Sequence, residues 1–179
     1  ASPTDLARRA RNLGYNTLGI CDDGTVAGFQ PFDDACRSQG IRPVFGCRFL
    51  MRGLALTGLN FPIDFLIESE QGYRNLIRLL NQYHDLGGSE KHILEEEDLK
   101  EKISGLVCVV PSDGELVSLV RSKDREKTEN WLDKVIAVYG AQCALGVSLD
   151  VDPASRVMMR ELCRFIGIRG LVSQRTYYP

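Results

Sequence analysis

The chain has 179 residues, 44% of them hydrophobic, enough for one sizeable core, and it fits a single domain over 1–179 better than two domains. Its 24 acidic and 22 basic side chains leave a formal charge of −2, which excludes the global basic field that drives nucleic-acid binding. No apolar run approaches the roughly 20 residues that span a bilayer, and the opening "ASPTDLARRARNLG" lacks the apolar core of a secretion signal, so a cytoplasmic protein without membrane attachment is expected.

In chain order the signals alternate between helix and strand. Ser2 and Pro3 start a helix, with Leu6, Ala10 and Leu13 on one face and Gly14 as its stop. "TLGIC" reads as a strand that breaks at Asp22-Asp23-Gly24-Thr25. A helix follows from about Val26 to Gln39 and ends at Gly40. "IRPVFGCRFLM" and "FPIDFLIES" read as strands. Between them, Gly53 and Gly58 punctuate a hairpin-like excursion that is a candidate docking surface. "GYRNLIRLLNQYH" is a helix with Leu76, Leu79 and Leu80 on one face. "EEEDLKEK" is a solvated helix start with acids near the positive end of the dipole. "GLVCVV" has the apolar run of a buried parallel strand. Helices at "GELVSLVR" and "REKTENWLDKVIAVYG", the strand "CALGVSLD", the helix "PASRVMMRELCRFIG" and the strand "GLVSQ" complete the alternation. Trp131, Val135 and Val138 fall at helical spacing and read as core. The mixed-sign "RSKDREK" reads as an inter-helix loop.

Repeated β-α units predict parallel strands surrounded by helices, as a barrel or a doubly wound sheet, with any site at the carboxyl ends of the strands. No glycine-rich phosphate loop or Gly-x-Ser-x-Gly elbow follows a strand. The six cysteines (21, 36, 47, 108, 143 and 163) form no Cys-x-x-Cys pair and read as reduced core thiols. His84 and His92 lie in a polar stretch and read as solvated loop residues.

The ordered series "LARRARNLGYNTLGICDDGTVAGFQPFDDACRSQGIRPVFGC", "IESEQGYRNLIRLLNQ", "GLVCVV" and "CRFIGIRGLVSQRTYY" resembles the PHP domain at the amino terminus of the α subunit of bacterial DNA polymerase III, a C-family replicative polymerase. The resemblance covers nearly the whole chain. It implies an α/β fold of the PHP type, a distorted (β/α)7 barrel, which here lacks its first strand if that strand precedes Ala1. It also implies a metal site at the carboxyl ends of the strands in active members, built from histidines, carboxylates and sometimes cysteine.

Carried over position by position, the resemblance implies a degenerate site. The family's Asp-His falls on Asp22 and Asp23, the carboxylate that ends the next strand on Arg48, and the following histidine on Pro62. The family's cysteine falls near Ser112, and the final Asp-x-His on Arg175 and Tyr177. A divalent ion needs several anionic or imidazole ligands, whereas Arg48 and Arg175 bring fixed positive charge. The expectation is therefore no catalytic residue, no metal and no cofactor, with at least one of these arginines pairing with Asp22 or Asp23 within about 4 Å. The functional expectation is a non-catalytic scaffold and docking module for the proofreading exonuclease and other replicase subunits, with DNA bound by the rest of the polymerase. The alternatives are an active metal-dependent phosphoesterase or 3′-5′ exonuclease, and an unrelated α/β binding module.

Overall fold

The computed structural model describes residues 2–84, 93–111, 113–140, 143–148, 152–166 and 169–173. The elements run α1 (Pro3–Asn12), β1 (Thr17–Asp23), α2 (Phe29–Ser38), β2 (Arg42–Arg52), β3 (Asn60–Ile67), α3 (Glu70–His84), α4 (Glu96–Leu99), β4 (Leu106–Val110), α5 (Glu115–Ser122), α6 (Arg125–Tyr139), β5 (Cys143–Ser148), α7 (Pro153–Ile166) and β6 (Arg169–Ser173). The strands form one sheet in sequence order, β1 to β6. β1/β2, β4/β5 and β5/β6 are parallel, but β3 is antiparallel to both β2 and β4. The expectation of an all-parallel sheet is corrected here. The β2 to β3 connection, residues 53–59, is too short to hold a crossover helix, so the chain must reverse. β1 and β6 are the edge strands, and no pairing among the described residues closes one onto the other.

Strand alternation fixes which face meets the helices. Cys47, Phe49, Met51, Ile63, Phe65, Cys108, Val110, Cys143 and Leu145 are buried in one core with Leu76, Leu79, Leu116, Trp131, Val135 and Met159 of the helices. A second cluster packs α1 and α2 against β1 through Ala7, Ala10, Phe32, Cys36 and Ile20. The intervening residues Arg48, Leu50, Pro62, Asp64 and Leu66 occupy the opposite face and are half-buried. All six cysteines are free, five of them buried. Two local expectations change. Leu13 is exposed, and the inward face of α1 is carried by Ala7 and Ala10, because the helix ends at Asn12 and Leu13 only caps it. The second helix starts at Phe29, three residues later than its periodicity predicts, with Gly28 as N-cap.

The "IESEQGYRNL" block is a fastener. The Ser69 hydroxyl accepts the Gly72 N–H at the start of α3 (3.2 Å). Gly72 lies so close to the turn before β4 that a Cβ there would fall 1.8 Å from the Gly105 carbonyl oxygen. Gly105 itself has φ +74°, a conformation that glycine adopts at little cost. Buried Asn75 donates to the Ser104 carbonyl at 2.9 Å. Together these contacts lock α3 to β4 and set the level at which β3 and β4 meet.

Candidate functional site

Register builds the site. Asp23 of β1 lies beside Arg48 of β2, which lies beside Asp64 of β3. Cross-strand partners share a face, so the three side chains form a row on the face away from the helices. The carboxyl end of β1 lies at this level, and the chain leaving β4 adds Asp113. Arg48 Nε and Nη2 donate to the two oxygens of Asp64, each at 2.6 Å. This fork-on-carboxylate geometry is the strongest form of the pair. Arg48 Nη1 is 3.5 Å from Asp113 Oδ2, and Nε is 3.9 Å from Asp23 Oδ1. The Arg48 and Asp64 side chains are 15% and 13% exposed, against 72% for Asp23. The Arg48–Asp64 pair is therefore the desolvated centre, and the Asp23 contact is a water-screened rim.

Burial pushes the Asp64 carboxyl up, against the pull of Arg48. Burial alone would lower the Arg48 pKa, but the hydrogen bonds and charge of Asp64, helped by Asp113, leave it raised. Both directions follow from taking a charge pair out of water. Asp22 points the other way along β1. A Cβ on Gly28 would fall 2.5 Å from its Oδ2, so the carboxylate fits only because glycine caps α2. Burial raises the Asp22 pKa, and the neighbouring charge of Asp23 adds to it.

Burial pushes the Cys47 thiol up to about 12, and its Sγ donates to the Asp22 carbonyl at 3.3 Å. Burial also drives the Cys21 thiol far above its ordinary range, with the negative charge of Asp64 adding. Gly24, at φ +59°, turns the chain after Asp23 and donates its N–H to the Arg48 carbonyl at 2.8 Å. His84 Nε2 lies 2.6 Å from the Gly24 carbonyl oxygen. His84 is exposed, but it is the last residue of α3 and contacts this turn; its expected place in a solvated loop is corrected.

Asp22, Asp23 and Arg48 are thus brought to one end of the sheet. The expected arginine contact exists, from Arg48 to Asp23, but it is the weaker one. The principal partner, Asp64, is a site residue the sequence reading missed. Pro62 sits beside Leu50 in the β2/β3 ladder, two residues from Asp64 on the same face. Ser112, Arg175, Tyr177 and His92 lie outside the described residues. Among the described residues no group of three or more His, Cys, Asp or Glu side chains is arranged to hold a metal ion. No described helix is long and apolar enough to cross a membrane.

The chain is 25% identical over 186 residues to the DNA polymerase III subunit alpha of Treponema pallidum, an alignment covering 97% of this chain and 16% of that protein. It is 28% identical over 164 residues to error-prone DNA polymerase 2 of Rhizobium meliloti, covering 90% of the chain and 14% of the relative. The subunit alpha of Aquifex aeolicus matches at 21% identity over 97% of the chain. The chain therefore spans only about a sixth of the length of these relatives. Among solved structures, a Bifidobacterium adolescentis protein taken to be a metal-dependent phosphoesterase superposes with a TM-score of 0.62 at 13% identity, covering 94% of this chain and 80% of that one. That likeness speaks to the fold alone. The sequence profile of the PHP domain matches residues 1–149, and the chain belongs to the PHP domain family, with homology to DNA polymerase III alpha subunits and error-prone DNA polymerases.

Proposed function

We propose that this chain is the non-catalytic PHP domain of a bacterial replicative polymerase α subunit, acting as a scaffold and as the docking module for a separate proofreading exonuclease. The observation that carries the reading is the Arg48–Asp64 fork, with Asp23 and Asp113 around it. A guanidinium stands among acids that could otherwise converge on a divalent ion, and it repels such an ion directly. The residues present do not fit the family's metal. The degenerate positions on this reading are Asp22, Asp23, Arg48, Pro62, Ser112, Arg175 and Tyr177.

Residues 1–179 are then one domain of a much longer subunit, consistent with the 16% of the Treponema relative that the alignment covers. DNA is contacted through the rest of the polymerase, and the setting is cytoplasmic. In the parent subunit the sheet closes as a distorted (β/α)7 barrel, with a further strand at the free edge of β1. The work of the domain is positional: it holds loops rigid so that another subunit meets a fixed surface.

Two assays test this. The chain incubated with manganese and either a phosphomonoester or single-stranded DNA should show no hydrolysis. Turnover that chelator abolishes and Asp22→Ala weakens would instead establish an active phosphoesterase. Titration of the purified exonuclease subunit into the full-length polymerase subunit should give saturable binding that disappears when this domain is deleted. Unchanged binding after the deletion removes the docking role.

A further inference from the structure

We propose that residues 53–59 form a strap held shut over the core by an anion latch, with the Glu115 carboxylate as its key. Glu115 opens α5 and is 5% exposed. Its Oε1 accepts the backbone N–H groups of Ala55 (2.8 Å) and Leu56 (2.6 Å), and its Oε2 accepts the N–H of Leu54 (2.8 Å) and the Trp131 indole N–H (2.9 Å). Each oxygen thus receives two donors. All four partners are donors, so the arrangement suits an ionised carboxylate and leaves no acceptor for a carboxylic acid proton or an amide NH2.

Lys134 adds a tie from the other side, donating Nζ to the Leu54 carbonyl at 2.7 Å. Space is tight beneath the strap: a Cβ at Gly53 would fall 2.5 Å from the Leu56 carbonyl oxygen and 3.0 Å from Glu115 Oε1. The strap also has apolar anchoring at its centre, where Ala55 and Leu56 are partly buried against the core. Leu54 is buried, but Leu59 is 55% exposed, and Thr57 and Gly58 face solvent. Four charge-assisted hydrogen bonds to one carboxylate fix the backbone of residues 54–56 alongside these apolar contacts. Beside it lies a cavity of about 30 Å³ whose lining includes Met51, Leu54, Ile63, Trp131, Val135 and Tyr139. Opening the strap would uncover that cavity and Trp131.

The test is Glu115→Gln, which keeps the shape but puts an NH2 group against two donors. Hydrogen exchange at residues 54–56 should rise by about tenfold or more while β3 and β4 stay protected, the signature of local opening. Emission from Trp131, the only tryptophan, should shift, and binding of the apolar dye 1-anilinonaphthalene-8-sulfonate should increase. In Glu115→Ala, added formate should restore protection by entering the vacated nest. Should the Gln variant fail to fold, Trp131→Phe removes one donor while keeping an aromatic side chain, and exchange at 54–56 should still rise locally. Unchanged exchange at 54–56, or a rise shared equally by β3 and β4, would overturn the latch, as would formate without effect.

Discussion

Two fastenings hold this sheet together, and they work by opposite means. Around Gly72, Gly105 and Asn75 the contact is neutral and steric, with backbones brought together because no side chain intervenes. Around Arg48 the contact is ionic: one cation faces Asp64, Asp113 and Asp23, and its centre is almost dry. The first kind is tolerant of its surroundings, since it requires only small residues at two positions. The second depends on every charge nearby, because a buried ion is stable only while its partner is present. The Arg48 cluster is thus the more fragile.

The largest effect should come from breaking the ionic fastening on one side. Arg48→Ala leaves Asp64 buried beside Asp113 and should cost about 3 kcal/mol in urea unfolding. Replacing both partners by Met and Leu should recover much of that loss, because neither charge is then stranded. A cost under about 1 kcal/mol for Arg48→Ala would reduce the pair to an ordinary surface bridge.

Next is the steric fastening. Gly72→Ala should cost about 2 kcal/mol, since the added methyl meets backbone and neither strand nor helix can yield cheaply. It should do so equally at low and high salt, whereas the Arg48 contacts to exposed Asp23 should weaken with salt. If both responses are alike, the contrast between the two fastenings fails.

The smallest effect concerns Asp22, whose pKa is raised by burial and by Asp23. An acid with a raised folded-state pKa is ionised at a cost in the native state, so its contribution to stability is full below the unfolded value and is lost as pH rises through the folded one. Asp22→Asn should therefore stabilise the chain slightly at neutral pH, by under about 1 kcal/mol given its partial exposure. The gain should vanish in acid, below about pH 4. Thermal melts of both proteins at several pH values read this directly; a gain that grows toward acid would contradict the assignment.

These two regions also differ in how far the sequence discloses them. The block from Ser69 to Asn75 is local, a pattern within two helical turns, and the sequence reading took from it the helix that follows, with Leu76, Leu79 and Leu80 on one face. The helices, the six strands and the acids after β1 were legible for the same reason, since each is a pattern in adjacent residues. Asp64 was not. It is a single acid in "FPIDFLIES", and its meaning lies in a partner sixteen positions earlier, across an antiparallel turn. A hairpin folded midway between Gly53 and Gly58 brings Arg48 within one residue of Asp64, so the signal existed, but the expectation of parallel strands hid it. Glu115 was missed on similar grounds, because a carboxylate at a helix start is ordinary in sequence and its four donors come from two distant segments.

The claim that a guanidinium has taken the place of a metal can be tested by growing the protein in medium supplemented with zinc, manganese and iron, then measuring metal content and thermal stability with and without chelator. The ion-pair account predicts far less than one ion per chain and a melting temperature unmoved by chelator. One or more ions per chain, with a melting temperature that falls on chelation and recovers on adding metal, would contradict it.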